Sequence, residues 1–257
     1  MRADLKKPLA IDLFCGLGGW TEGLLLEGYD VVGFDNVQHV YGAHRYPAPM
    51  VLQDVLTLHG RQFAGVDLIV ASPPCQEFSY RSMPWKRARA LPPPSTALFD
   101  ACFRIQAEAI EAAGRYIPLV VENVKGAQKW VGRARWHHGS FYLWGDVPAL
   151  MPITHVVPKV PGQNWHRFNE TGQKSPHWNM AGLKNTGGSW FNVAHNKASG
   201  HGQNPDGRKS QRDPMAASSG TKRKHASAII AKIPPELARW IGRAWLPLAP
   251  AGAATKD

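Results

Sequence analysis

"PLAIDLFCGLGGWTEGLLLEGYDVVGFDN", residues 8–36, contains the smallest unit from which the fold can be read. "PLAIDLF" is a short apolar run of strand length, and "YDVVGFDN" is a second one rich in β-branched and aromatic residues. Between them, "GWTEGLLLEG" has the length and spacing of a helix, and it opens after the glycine-rich turn "DLFCGLGG", residues 12–19. A strand, a crossover helix and a second strand imply parallel pairing, because parallel neighbours need a long connection that covers one face of the sheet. The fold class expected is therefore α/β, a doubly wound and mostly parallel sheet.

The pattern continues outward from this unit. It predicts a helix around "VQHVYGAHRY", a strand at "VDLIVAS", a helix at "STALFDACFRIQAEAIEAAG" and a strand at "PLVVENV". After about Gly126 the periodicity fades. "RARWHHGSFYLWG" supplies one more strand, and "SAIIAKIPPELARWIGRAW" closes the chain as an apolar-faced helix with Pro234 and Pro235 at its start. With 257 residues the chain can bury one full core and carry a small appended lobe. The expected division is a catalytic and cofactor domain over 1–151, a short recognition region over 152–224, and a closing helix over 225–257 that packs back on the first domain.

Charge indicates the partner. Thirty Lys and Arg against nineteen Asp and Glu leave +11, a balance suited to a polyanion. Between His155 and His225 there are eleven Lys/Arg and three Asp/Glu, so +8 of that charge lies in the stretch without clean period. Trp165, Phe168, Trp178, Trp190 and Phe191 are interleaved there with Gly, Asn and His. Such a mixture suits phosphate contacts and base stacking better than a packed core, and predicts a small irregular basic lobe. Cys15, Cys75 and Cys102 are odd in number and scattered, which fits neither a disulfide framework nor a zinc ribbon and implies a reducing compartment without a metal. No stretch reads as a signal peptide or membrane span, so a cytoplasmic monomer is expected, nucleoid-associated if bacterial or phage-encoded.

Gly16, Gly18 and Gly19 let the backbone turn tightly at the carboxyl end of the first strand, where open α/β sheets bind their ligands. Asp35 ends the second strand, a placement that suits an acid gripping ribose hydroxyls. Asp54, in the next loop, can accept from an adenine amine. Each aspartate alone reads more readily as a loop residue or helix cap; on successive sheet-end loops they point to a nucleoside-containing cofactor. Cys75, in "ASPPCQEFSYR", follows two prolines on a polar turn, whereas most cysteines behave as small buried apolar groups.

"DLFCGLGG", "SPPCQEFS" and "VVENVKG", in this order and at these separations, resemble the DNA (cytosine-5)-methyltransferase family, whose members have a Rossmann-like fold and use S-adenosyl-L-methionine. The likeness runs from about Leu9 to Gly126 and returns in "AKIPPELARWIGRA". It implies that Cys75 is the nucleophile attacking carbon 6 of cytosine, and that Glu122 shares a proton with ring nitrogen 3. It also implies that Phe14 touches the adenine, Asp35 the ribose, Asp54 the adenine amine and Leu98 the cofactor's apolar side, with Gly16, Gly18, Gly19, Asn36 and Pro74 completing the cofactor surface. Gln76 and Ser79 would belong to a loop that closes over double-stranded DNA. Basic residues after the cysteine, Arg81 among them, would favour the thiolate and meet the backbone. Cys15, inside the cofactor turn, and Cys102, on an amphipathic helix, read as packing residues. The target base would be rotated out of the helix to reach the pocket.

Two departures stand out. No Gln-x-Arg-x-Arg stretch follows "ENV", with "GRAR", residues 132–135, as the nearest candidate; and Ala231 and Lys232 stand near the family's Gly-Asn pair. A short recognition region predicts a short or degenerate target of about two to four base pairs, since each discriminating base contact is worth about 1–3 kcal/mol. Lys222, Arg223 and Lys224 would hold phosphates without reading sequence. An RNA (cytosine-5)-methyltransferase of the same fold and a non-catalytic nucleic-acid-binding homologue are the rival readings.

Overall fold

The computed structural model describes residues 7–78, 92–139, 141–151, 228 and 231–247. The chain divides into two units, Met1–Pro152 with Ile233–Asp257, and Ile153–Lys232. All elements named below belong to the first. The recognition region predicted over 152–224, with its aromatic residues, lies outside the described residues, as do Ser79, Arg81, Lys222, Arg223 and Lys224.

The described strands form one mixed sheet of seven and one two-stranded hairpin. β1 (Leu9–Leu13), β2 (Asp30–Asp35), β5 (Met50–Leu52), β6 (Leu68–Ala71) and β7 (Leu119–Asn123) run parallel, whereas β8 (Trp136–His138) and β9 (Phe141–Gly145) complete one edge antiparallel. The order across the sheet is β5-β2-β1-β6-β7-β9-β8. α1 (Gly19–Leu26) and α2 (Ala97–Ala113) are the long crossover elements, a single turn α3 (Gln128–Val131) follows β7, and α4 (Pro235–Ala244) closes the described chain.

The central strands "LIVA" and "LVVEN" are buried along their whole length, as expected of strands covered on both faces. Their side chains alternate between two cores. Ile11, Leu13, Ile69, Ala71, Leu119 and Val121 face Phe99, Cys102, Ile105 and Ala109 of α2. Ala10, Val31, Leu68, Val70 and Val120 face Trp20 and Leu24 of α1 with Leu237 and Ile241 of α4. α2 ends at Gly114 and α4 starts on Pro235, the residue types these positions favour. Among the described residues, no helix is long and apolar enough to cross a membrane.

Two local expectations are corrected. The helix expected at "VQHVYGAHRY" is a hairpin, β3 (Val40–Tyr41) paired with β4 (His44–Arg45). Val40 and Tyr41 favour extended backbone, and Gly42, at φ 62°, turns the chain where a helix would have continued. "RARWHHGSFYLWG" supplies two strands rather than one, with the turn at Gly139.

α4 docks on α1 at close range. A Cβ on Gly23 would lie against the Ala238 methyl and 2.8 Å from the Arg239 nitrogen, so the missing side chain is what lets the helices meet. The Glu27 carboxylate accepts from Arg239 Nε and Arg243 Nε, each at 2.6 Å, and the Tyr29 hydroxyl donates to the Gly242 carbonyl at 3.0 Å. These contacts join residues more than two hundred positions apart in sequence.

Candidate active site

The carboxyl ends of the parallel strands gather the candidate residues on successive loops. β1 leads into a turn through Phe14 (φ 58°), Gly16 (φ 50°) and Gly18 (φ 76°) before α1 begins. Phe14 is the only non-glycine among the described residues with positive φ, a conformation that costs a bulky residue on the order of 1–3 kcal/mol. The turn is pinned: Cys15 N donates to the Phe34 carbonyl at 3.2 Å, and Gly18 N to the Cys15 carbonyl at 2.7 Å. Asp35 braces it from the end of β2, one carboxylate oxygen accepting from Gly16 N at 3.0 Å and the other from Val37 N at 3.2 Å.

The turn is closed on one side and open on the other. A Cβ on Gly18 would meet Pro47 Cδ at 2.5 Å and Tyr46 Cδ2 at 3.1 Å, so this position needs glycine for both space and φ. Beside Gly16 a Cβ would meet nothing within 4 Å. Behind the turn, Asp12 is almost fully buried and accepts from the Thr21 hydroxyl at 2.7 Å. Burial pushes its carboxyl far above the ordinary range, to about 8.

β6 opens into the second loop. Ser72 Oγ accepts from Trp20 Nε1 at 3.0 Å, joining this loop to the start of α1. Pro73 is buried, Pro74 is exposed, Cys75 is half-buried and Gln76 is exposed. Phe78 N donates to the Cys75 carbonyl at 3.1 Å, and the Phe78 ring is anchored in the α2-side core. Cys75 is the most accessible of the three cysteines: Cys15 and Cys102 are buried, and burial pushes both thiols up, away from the reactive thiolate.

Glu122 is the penultimate residue of β7, the parallel neighbour of β6, and is 9% exposed. Alternation along β7 places it on the α1 side with Val120, the side on which Trp20 meets Ser72. The adjacent Asn123 donates from Nδ2 to the Pro73 carbonyl at 2.9 Å. Its Oδ1 accepts from Val124 N at 2.8 Å. The strand end carrying Glu122 and the loop carrying Cys75 are therefore tied together.

Leu98 sits half-buried in the first turn of α2, and Phe14 packs against the core that α2 covers. Asn36 is exposed beyond Asp35. Asp54 is exposed and caps a 3-10 turn, its Oδ1 accepting from Leu56 N at 2.9 Å. Sequence reasoning passed over Asp12, Thr21, Tyr46, Ser72 and Asn123. For Asp12 a signal existed, a charged residue inside the apolar run "LAIDLF".

Residues 9–129 match the family model for C-5 cytosine-specific DNA methylases. The chain is 30% identical over 176 residues to the type II methyltransferase M.XorII of Xanthomonas oryzae pv. oryzae, an alignment covering 60% of this chain and 39% of that protein. With the type II methylase M.HgiDII of Herpetosiphon aurantiacus it shares 34% identity over 79 residues, 27% of this chain and 22% of that one. The chain thus spans about two-fifths or less of the length of these relatives. Among solved structures, the S. pombe Dnmt2 methyltransferase aligns with a TM-score of 0.33 at 20% identity, covering 48% of this chain and 37% of that chain.

Proposed function

We propose, on the match of residues 9–129 to the C-5 cytosine-specific DNA methylase family, that the chain is a member of that family and transfers a methyl group from S-adenosyl-L-methionine to carbon 5 of cytosine in double-stranded DNA. The observation that carries this reading is the hydrogen bond between Asn123 and Pro73, which ties the end of the strand carrying the buried Glu122 to the loop carrying the half-buried Cys75.

The residues present fit the cofactor. The side of the turn at Gly16 is open, and the Asp35 carboxylate, already oriented by two backbone donors, keeps lone pairs for ribose hydroxyls. Phe14, Gly16, Gly18, Gly19, Asp35, Asn36, Asp54, Pro74 and Leu98 are the residues that would hold it. When bound, S-adenosyl-L-methionine supplies an electrophilic methyl group.

Carbon 5 of cytosine is a poor nucleophile. The Cys75 thiolate adds at carbon 6, breaks the conjugation of the ring and moves electron density onto carbon 5. Glu122 holds a proton at nitrogen 3, so the ring need not carry a full negative charge, and it accepts from the exocyclic amine. Later loss of the carbon 5 proton expels the thiolate and restores the ring. Because the reacting atoms lie inside the stacked duplex, the base must leave the helix to reach this edge. The basic region over 152–224 would hold the DNA, with a short or degenerate target.

Incubating the full chain with labelled S-adenosyl-L-methionine and duplex DNA, single-stranded DNA or tRNA, then mapping modified bases, tests the proposal. Label at carbon 5 of cytosine in duplex DNA is expected. Label confined to RNA, or none in any substrate, overturns it.

A further inference from the structure

Behind the glycine turn, three side chains form a chain of hydrogen bonds ending on a buried acid. The Thr21 hydroxyl donates to Asp12 Oδ2 at 2.7 Å and lies 2.7 Å from the Tyr46 hydroxyl. A hydroxyl has one proton, so when Thr21 gives it to Asp12, Tyr46 must be the donor to Thr21. The order is then Tyr46 to Thr21 to Asp12, which suits an ionised acid. A proton on Oδ2 reverses every bond in the chain.

The other Asp12 oxygen, Oδ1, is sealed from solvent and has no hydrogen-bond partner among the described residues. A buried, half-satisfied carboxylate is costly, and the low dielectric favours its neutral form. Among the titratable neighbours, one deepens that preference. Asp35, at the end of β2, adds like charge, while Cys15 in the turn and Tyr46 beside it are held neutral by burial.

Tyr46 also connects this chain to the ligand surface. With Pro47 it closes the side of the turn at Gly18, and a Cβ on Gly33 would meet the Tyr46 hydroxyl at 2.5 Å and Cys15 Sγ at 2.7 Å. Asp12 itself lies two residues before Phe14, the strained residue of the turn. The acid, the clamp and the turn therefore form one packed unit.

We propose that Asp12 is a positioning acid that answers the charge of the cofactor: neutral while the turn is empty, it gives up its proton when a cationic ligand occupies the turn, and Thr21 and Tyr46 reorient their hydroxyls to follow. The inference rests on the cofactor reading above. Charge and atoms balance, because the positive ligand enters as one proton leaves for solvent. A sulfonium cofactor and its neutral thioether product would thus be distinguished by a residue that needs no contact with either sulfur, through an interaction strengthened by the dry interior.

The test is calorimetric titration of the full chain at pH 7 in buffers of different ionisation enthalpy, with S-adenosyl-L-methionine and, separately, S-adenosyl-L-homocysteine. At that pH an acid of pKa about 8 is still about nine-tenths protonated, so the sulfonium ligand should release up to about 0.9 proton and the thioether far less. Asp12→Asn should bind with no difference in proton release between the two ligands. Tyr46→Phe, which removes the donor that supports the ionised acid but leaves the ring in place, should release less than the wild type. Equal proton release by both ligands in the wild type, or an unchanged difference in Asp12→Asn and Tyr46→Phe, overturns the coupling alone. Absence of binding heat from both ligands overturns the cofactor reading and the coupling with it.

Discussion

The side-chain amide of Asn123 donates to the carbonyl of Pro73 at 2.9 Å, tying the end of β7 to the loop that follows β6. Proline removes a backbone donor and stiffens the loop, but stiffness does not by itself say where Cys75 points. The hydrogen bond fixes the backbone carbonyl two residues before Cys75. Asn123→Ala should therefore lower kcat on the order of 10²-fold, the scale of a misplaced reacting group, and leave cofactor affinity unchanged. Single-turnover kinetics with a parallel binding titration checks this; an equal loss in cofactor binding would show the bond to be general scaffolding.

If Cys75 is the nucleophile as proposed, Cys75→Ser should abolish methyl transfer and keep cofactor binding. A duplex carrying 5-fluorocytosine should trap a covalent adduct with the wild type only, seen as a mass shift on a denaturing gel. Methylation surviving the substitution would remove Cys75 from the mechanism.

Glu122→Gln keeps shape and hydrogen bonding but cannot share the proton. A rate loss on the order of 10²–10⁴-fold with little change in DNA affinity is expected. If affinity falls equally and turnover of bound DNA is unchanged, Glu122 acts in binding instead.

Helix propensity and packing oppose each other at Gly23. Ala is better than Gly inside a helix by about 1 kcal/mol. Yet the added methyl would press on Ala238 and the backbone of Arg239, and overpacking of that kind costs about 1–3 kcal/mol. Packing should win: Gly23→Ala is expected to lower the denaturant midpoint, and a rise would mean that α4 yields easily.

Asp12 gives a pH signature to the free chain. Its carboxyl is raised to about 8 in the fold by burial, so the folded state holds a proton that the unfolded chain has already lost above about pH 4. The stability it contributes is complete below about pH 4 and declines as pH rises towards 8. Melting temperatures should fall across that range more steeply for the wild type than for Asp12→Asn. Parallel profiles would show that Asp12 ionises freely in the fold.

Legibility in the sequence followed the range of the forces. β1, β6 and β7 are short continuous apolar runs that are buried almost throughout, and α2 carries an apolar face whose burial follows the helical period. The hairpin at residues 40–45 was hidden because Val37, Val40 and Tyr41 have helical spacing, while Gly42 decides the backbone by its φ rather than its polarity. Gly16, Gly18 and Gly19 in one turn, with aspartates on the loops that follow, marked the turn proposed to hold the cofactor. Its clamp was not legible, because Tyr46 lies 25 residues from Thr21 and only the folded sheet brings them together. Asn123 was equally silent, since its partner is a backbone carbonyl 50 residues away.

The docking of α4 on α1 means that the segment Ile153–Lys232 leaves a unit and is returned to it, since the chain on both sides belongs to the same body. That segment is an insertion in a closed circuit, not a tail. The entropy of closing such a loop rises only logarithmically with its length, about 0.6 kcal/mol for each doubling. With α4 held on α1 by Leu237, Ala238 and Ile241 and by the Glu27 ion pairs, a change in the length of the inserted part costs the body it leaves little. An inserted segment of this kind can change length while the body that carries the proposed site keeps its packing.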